Sequence, residues 1–424
     1  MIAIRKALNG FLIVVPIIAG AYLSGMVYLS EGSAIPLTAF QIALILGALL
    51  LLVRKILGRE ASFHFYGIEI EYLLYLAVIF FSLIYSPERA EGLFNVIRYV
   101  VLIVLTYIIY NSVNSIKELR TICYSAVIIS VMVAIPSIVE SVLNPEVTAL
   151  KYINAGRKII RSSGAERDPN IFGSYFILPA LILVSLMGNA KNLKQKISLF
   201  SICGIIMVAV LLTYSRSTWV ALFFGIGIVV VYQRNFDFIL YSFVTLFLIF
   251  LGSDAVRDIV FSFGDRIIDI FAGSSDDSSR FRIILLETAI LMWLDSYTFG
   301  VGYQGFSTAF QKYHPPQEVG GVYEPHNEYY TVLAELGLIG FIIFMFLLWK
   351  IVKTGWNTIK MYESEGKDTS IALALFASFC GYLVFFQFLG GMQLHSILTI
   401  NIGLLFCASK FVGTTDRTEL TVQN

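Results

Sequence analysis

Residues 197–232, ISLFSICGIIMVAVLLTYSRSTWVALFFGIGIVVVY, hold two apolar runs on either side of the polar turn Tyr214-Ser215-Arg216-Ser217. A helix needs about 20 apolar residues to cross ~30 Å of hydrocarbon, so 197–213 and 218–232 read as adjacent spans joined by a tight turn. The same pattern recurs near 9–29, 36–53, 68–85, 93–111, 119–143, 170–187, 237–252, 327–351, 369–391 and 396–411. The expectation is an all-α integral membrane protein of about twelve transmembrane helices. Composition agrees: of 424 residues, 57% are hydrophobic and 14% charged, with a mean hydropathy of +0.79, far from a soluble domain. A net charge of +1 gives nucleic acid nothing to bind. Cys123, Cys203, Cys380 and Cys407 sit in apolar runs without CxxC spacing, so they read as small buried residues and not as disulfides or metal ligands.

Orientation follows from the basic loops, which stay cytoplasmic. Arg54, Lys55, Arg59, Lys191, Lys194, Lys196, Arg234, Lys350, Lys353, Lys360, Lys410 and Arg417 all fall on one side when the spans alternate. Both termini are then expected in the cytoplasm, with Arg5 and Lys6 opening an uncleaved signal anchor. The turn at 214–217, the segment 144–169 and the long segment 253–326 are expected outside. The chain divides into helices 1–9 (1–252), a large periplasmic loop (253–326), and helices 10–12 with a cytoplasmic tail (327–424).

The large loop carries amphipathic helical patterning. Ser278 and Ser279 can cap a helix from about Arg280 to Leu294, with Ile283, Leu286, Ile290 and Trp293 at helical spacing. Gly300-Val301-Gly302 ends it, and Pro315-Pro316 and Gly320-Gly321 punctuate the return. Asp276-Asp277 has no flanking ligand spacing, and no HExxH pattern occurs, so no metal site is expected.

Three polar signatures meet at the outer edge. Arg216 begins a span, where its charge adds to the free amides of a helix N-terminus and favours phosphate; the structural alternative is an arginine snorkelling to headgroups. Arg280 and Arg282, two residues apart, project from different faces of the loop helix. His326 begins another span, where free amides favour a neutral imidazole able to take a proton from a hydroxyl. His64, His314 and His395 sit in a cytoplasmic loop, the Pro-rich return and a short outer turn, and compete less well for that role.

Glu324-Pro325-His326-Asn327-Glu328, followed by Glu335-Leu336-Gly337-Leu338-Ile339-Gly340, resembles the hallmark of the O-antigen ligase and O-antigen polymerase superfamily. Asp168-Pro169-Asn170, Ser215-Arg216-Ser217 with Gly227, Arg280, and Gly300-Val301-Gly302 with Phe306 match in the same order, so the resemblance runs from about residue 160 to 345. These are bacterial inner-membrane glycosyltransferases acting on undecaprenyl-diphosphate-linked glycans. The resemblance implies a GT-C-like membrane fold and an inverting, metal-independent transfer without a cofactor. It implies His326 as base, Arg216 and Arg280 on the leaving diphosphate, and Arg282, Asp168, Asn170, Arg161, Tyr214, Glu324 and Asn327 as substrate-binding residues, with Arg167 a further contact. A ligase would use lipid A-core oligosaccharide as acceptor, a polymerase another lipid-linked glycan, and a protein O-oligosaccharyltransferase a protein. A transporter or flippase is the reading from a different class; it would place its polar groups near the bilayer midplane in repeated halves, and no internal repeat is seen.

Overall fold

A computed structural model describes residues 9–23, 38–58, 63–143, 149–154, 157–164, 166, 168–234, 277–313, 325–391 and 395–413. The elements in order are α1 (Gly10–Tyr22), α2 (Ala39–Gly58), α3 (Glu69–Ser82), α4 (Arg89–Ser112), α5 (Ile116–Leu143), β1 (Ala149–Asn154) and β2 (Arg157–Ser162). There follow α6 (Pro169–Ser174), α7 (Ile177–Gly188), α8 (Leu193–Leu212), α9 (Arg216–Gln233), α10 (Asp277–Asp295), α11 (Phe306–Tyr313), α12 (Glu328–Ser364), α13 (Ser370–Phe385) and α14 (Ser396–Lys410). Among the described residues seven helical stretches are long and apolar enough to cross a bilayer, and α1, α13 and α14 are shorter apolar helices. The chain is the all-α membrane protein that its hydropathy calls for. The expected span at 237–252, the loop residues 253–276 and 314–324, Arg167 and Glu324 lie outside the described residues. The four cysteines are free and buried, as expected.

α7 and α13 are apolar on nearly all faces and enclosed on nearly all of them, as a helix without a polar stripe must be. α13 is the central post and packs against α7, α9, α12 and α14. A Cβ on Gly381 would stand 3.0 Å from the Ala221 carbonyl oxygen, and one on Gly225 3.2 Å from that of Ala377. α9 and α13 are therefore antiparallel in close contact, with Ala221 opposite Gly381 and Gly225 opposite Ala377. At one end of the bundle, cations take up helix-terminal carbonyls, which otherwise lack partners. Arg54 donates to the carbonyls of Ser112 (2.8 Å) and Asn111 (2.7 Å), and Lys410 to that of Val113 (3.0 Å).

Segment 144–169, for which the sequence reading gave only a side, contains an antiparallel hairpin paired from Ala149↔Ser162 to Asn154↔Arg157. Two expectations are corrected. The buried face of α10 is Leu285, Thr288, Ala289 and Met292, while Ile283 is 52% exposed. The buried face wins because small Thr288 and Ala289 let α10 approach Phe306, Phe310 and Ala334. Most consequential, the expected span 327–351 does not cross in one piece. α12 breaks at Gly337 (φ 64°, ψ −166°). The rings of Tyr329 and Phe344 are 6.3 Å apart, whereas a straight helix would separate these residues by about 22 Å. The first segment of α12 thus folds back on the second.

The break leaves backbone groups without helical partners, and burial demands that they be met elsewhere. Residues 297–302 meet them as a strap. The Val301 and Gly302 amides donate to the carbonyls of Ala334 and Glu335 (both 2.9 Å), and the Leu338 and Ile339 amides donate to those of Tyr297 (3.0 Å) and Thr298 (3.3 Å). A Cβ on Gly337 would lie 2.4 Å from the Thr298 carbonyl. Gly337→Ala is expected to cost about 3 kcal/mol or more, combining a strained backbone with a backbone clash. Gly366→Ala, at φ 67° with nothing within 4 Å of the added Cβ, is expected to cost only about 1 kcal/mol. Melting temperatures of the purified variants in detergent test this; equal losses would mean the strap does not hold the break.

Candidate functional site

The turn between α8 and α9 is built by its own side chains. Tyr214 takes φ 50° to reverse the chain, and Ser215 caps α9 by accepting from the Thr218 amide. The Ser215 hydroxyl also lies 2.9 Å from Thr218 Oγ1 and 3.0 Å from Ser217 Oγ, all of it buried. α6 presses on this turn, since a Cβ on Gly173 would fall 2.5 Å from Thr218 Oγ1. Arg161, reaching in from β2, donates through Nε to the Thr213 carbonyl (2.8 Å) and through Nη2 to Asn170 Oδ1 (2.9 Å). Asp168 caps α6 by accepting from the Asn170 amide (2.6 Å), and the Tyr175 hydroxyl donates to Glu166. The structure thus brings Arg161, Asp168, Asn170, Tyr214 and Arg216 into one corner. Within it Arg216 stands at the first turn of α9, half-buried, and makes no hydrogen bond or ion pair among the described residues.

His326 sits just before α12 with φ 48°, half-buried. Asn327 caps the helix, its Oδ1 accepting from the amides of Tyr329 (3.0 Å) and Tyr330 (3.2 Å). Its Nδ2 donates to the carbonyl (3.2 Å) and to Oε1 (3.1 Å) of Gln387, so both ends of this amide are engaged in holding the start of α12. The Glu328 amide donates to the Phe386 carbonyl (2.8 Å), and Tyr329 Oη to that of Leu383 (2.9 Å). His326 is thereby pinned to the end of α13. Continuing the α9–α13 register from Ala221 opposite Gly381 puts Arg216 level with Phe386. The histidine and the arginine therefore flank the same helix end.

Arg280 lies in the first turns of α10, and Arg282 follows, half-buried. Phe281 and Tyr330 contribute to the same small core of α10, α11 and the first segment of α12. The loop arginines thus belong to a unit built on the His326 segment.

That unit depends on Glu335, a residue whose role sequence reasoning missed. It is 4% exposed, and its carboxylate accepts from the amides of Gln304 (2.9 Å) and Phe306 (3.2 Å), capping α11 from another helix. The available signal was a lone acid at 335 inside an apolar run; its partners, thirty residues upstream, were invisible. Nearby, Tyr303 is held neutral by burial first, then by Glu335 and Glu328. Among the described residues no cluster of His, Cys, Asp and Glu is arranged to hold a metal ion.

Residues 199–345 match the family model described as O-Antigen ligase. The match takes in Arg216, Arg280, Arg282, Glu324, His326, Asn327 and Glu335, and leaves out Arg161, Asp168 and Asn170. The chain is also similar to the teichuronic acid biosynthesis protein TuaE of Bacillus subtilis (strain 168), 24% identical over 207 residues. That similarity covers 44% of this chain and 40% of the relative, so less than half of either protein is matched.

Removing the Glu335 carboxylate strands the buried Phe306 amide and the part-buried Gln304 amide, and a hydrogen bond to a charged group contributes about 1.5–3 kcal/mol. Glu335→Ala is expected to lower stability by about 3 kcal/mol and Glu335→Gln by roughly half that, since one acceptor oxygen remains. Thermal unfolding in detergent measures both; a silent Ala variant would remove Glu335 from the framework of the site.

Proposed function

We propose, from the premise that residues 199–345 carry the O-antigen ligase family match, that this protein is an inverting, metal-independent glycosyltransferase of the bacterial inner membrane. Its donor is an undecaprenyl-diphosphate-linked glycan and its active site faces the periplasm. The observation that carries the reading is Arg216. A half-buried cation with no described partner, at a helix N-terminus, level with a histidine at the next helix start, is an anion site with a base beside it.

The donor diphosphate lies against Arg216 and the first amides of α9, with Arg280 and Arg282 closing over it from α10. An acceptor hydroxyl attacks the anomeric carbon from the face opposite the diphosphate. The new C–O bond forms as the C–O bond to phosphate breaks, the hydroxyl proton passes to His326, and undecaprenyl diphosphate leaves with its charge met by the arginines. A single displacement inverts the anomeric centre. Arg161, Asn170, Asp168 and Tyr214 shape the Arg216 corner, and Asn327 holds His326 in place. Divalent metal is unnecessary because guanidinium groups neutralise the leaving group.

As acceptor we put lipid A-core oligosaccharide first, which makes the protein an O-antigen ligase. The second reading is a polymerase extending a lipid-linked glycan, supported by the similarity to a relative named for teichuronic acid biosynthesis.

The test supplies purified protein with undecaprenyl-diphosphate-linked glycan in EDTA, offering lipid A-core and additional lipid-linked glycan separately. Transfer is expected in the wild type, with His326→Ala slower by about 10²–10⁴ and Arg216→Gln slower by at least about 10². The acceptor that is glycosylated separates ligase from polymerase. Donor movement across vesicles with no transfer to any acceptor would overturn the enzyme reading.

A further inference from the structure

Arg98 is a charged residue set deep in α4. Nine residues separate it from the helix start at Arg89, about 14 Å along the axis, and an arginine at that depth in an apolar helix calls for a use. Among the described residues its hydrogen bond is to Asn95 Oδ1 at 3.3 Å, with no carboxylate in ion-pair range.

Its surroundings follow from how α4 meets α14. A Cβ on Gly403 would stand 3.1 Å from Ile109, and Cys407 Sγ lies 3.6 Å from the Ile109 carbonyl oxygen. Both helices leave the site end together, so tracing back along them sets His395, the residue before α14, level with Arg98 and Tyr99. Tyr99, Leu102, Leu398, Thr399 and Ile402 line one cavity, in agreement with that register, and Phe386 lines it too. Arg98 is exposed among the described residues. His395 is half-buried at the same level, its imidazole pushed down to about 4 by burial, then by Arg98, with Asp168 opposing. The histidine is therefore neutral near pH 7 and Arg98 supplies the charge. Asp168, the acid facing this pair, is already bound to the Asn170 amide. On the other flank Tyr303, the residue after the strap, approaches α4, its carbonyl oxygen 3.4 Å from a Cβ placed on Gly92.

α13 packs against both α9 and α14. Arg216 thus flanks the Phe386 end from α9, Arg98 with His395 approaches it from α4 and α14, and Asn327 and Glu328 pin the His326 segment to that same end. We infer that Arg98, with His395, forms a second anion-binding position of the same vestibule, which takes a phosphate carried by the acceptor. This rests on the glycosyltransferase reading, in which Arg216 and the α10 arginines take the donor diphosphate. Acceptor phosphate has two sources, the diphosphate of a lipid-linked glycan or a phosphate on a lipid-free sugar segment.

Binding of radiolabelled farnesyl diphosphate to the purified full chain in detergent tests the position without turnover. Two equivalents are expected for the wild type, one for Arg98→Gln, one for Arg216→Gln, and two again for Arg98→Lys, all with unchanged melting temperature. A wild-type stoichiometry of one that Arg98→Gln leaves untouched would overturn the inference and leave the glycosyltransferase reading standing. Displacement of the Arg98-dependent equivalent by lipid-free glucose 1-phosphate would assign it to sugar phosphate, and resistance to that competitor to a lipid-linked diphosphate. In the transfer assay at saturating donor, Arg98→Gln is expected to raise the acceptor KM at least tenfold and to leave the donor KM within twofold. Two equivalents lost singly as above, but no transfer to any acceptor, would keep the anion position and reject the transferase reading. A kcat loss with both KM values unchanged would reject Arg98 as an acceptor contact.

Discussion

Satisfying the backbone at Gly337 is the constraint on which the site depends. A helix interrupted inside an apolar bundle exposes amides and carbonyls that no water can reach, at a cost of several kcal/mol if they stay unmatched. The strap 297–302 supplies partners on both sides of the break, so the break and the loop after α10 can only exist together. Folding α12 back brings Tyr329 to Phe344 and hangs Asn327 and Glu328 on the end of α13. The same strap leads into α11, which Glu335 caps. One repaired interruption therefore sets the positions of His326, α10 and α11.

The second organising element is α13. Apolar on nearly all faces and enclosed by four helices, it is the rigid post to which the polar corner is referred. Glycines at 225 and 381 bring α9 against it at backbone contact, which fixes the height of Arg216. Hydrogen bonds from Asn327 and Glu328 to Gln387 and Phe386 fix the height of His326. Both are placed by one helix end. Functional groups held on rigid elements in this way keep their spacing without a direct bond between them.

Polar groups around this end divide into those that build and those left over. Asp168, Ser215 and Asn327 cap helices, and Arg161 ties the hairpin to Thr213 and Asn170. Arg216 and Arg98 are different: neither has an acidic partner among the described residues. Charge without a counterion costs more the further it is withdrawn from water, so the cost falls on half-buried Arg216 more than on exposed Arg98.

Helix-forming spans were legible in the sequence because a bilayer demands long apolar runs, and such runs are a local property. Arg216 and His326 were legible for a related reason, as polar residues at the ends of runs stand out against an apolar background. Local pattern could not show that the run 327–351 folds back at Gly337, since the amides and carbonyls that permit it come from residues 297–302. It also misjudged the buried face of α10, where the choice between Ile283 and the Leu285–Met292 stripe was made by the shape of Phe306, Phe310 and Ala334. The hairpin at 149–162 escaped because its pairing partners define it more than its composition does. Arg98 could be seen as a charge in a span, but its neighbour His395 lies nearly three hundred residues away. The sequence by itself determined which segments enter the membrane and which side chains are available for chemistry. The tertiary structure alone decided which of them meet, because packing and buried hydrogen bonding act between segments that the chain order keeps apart.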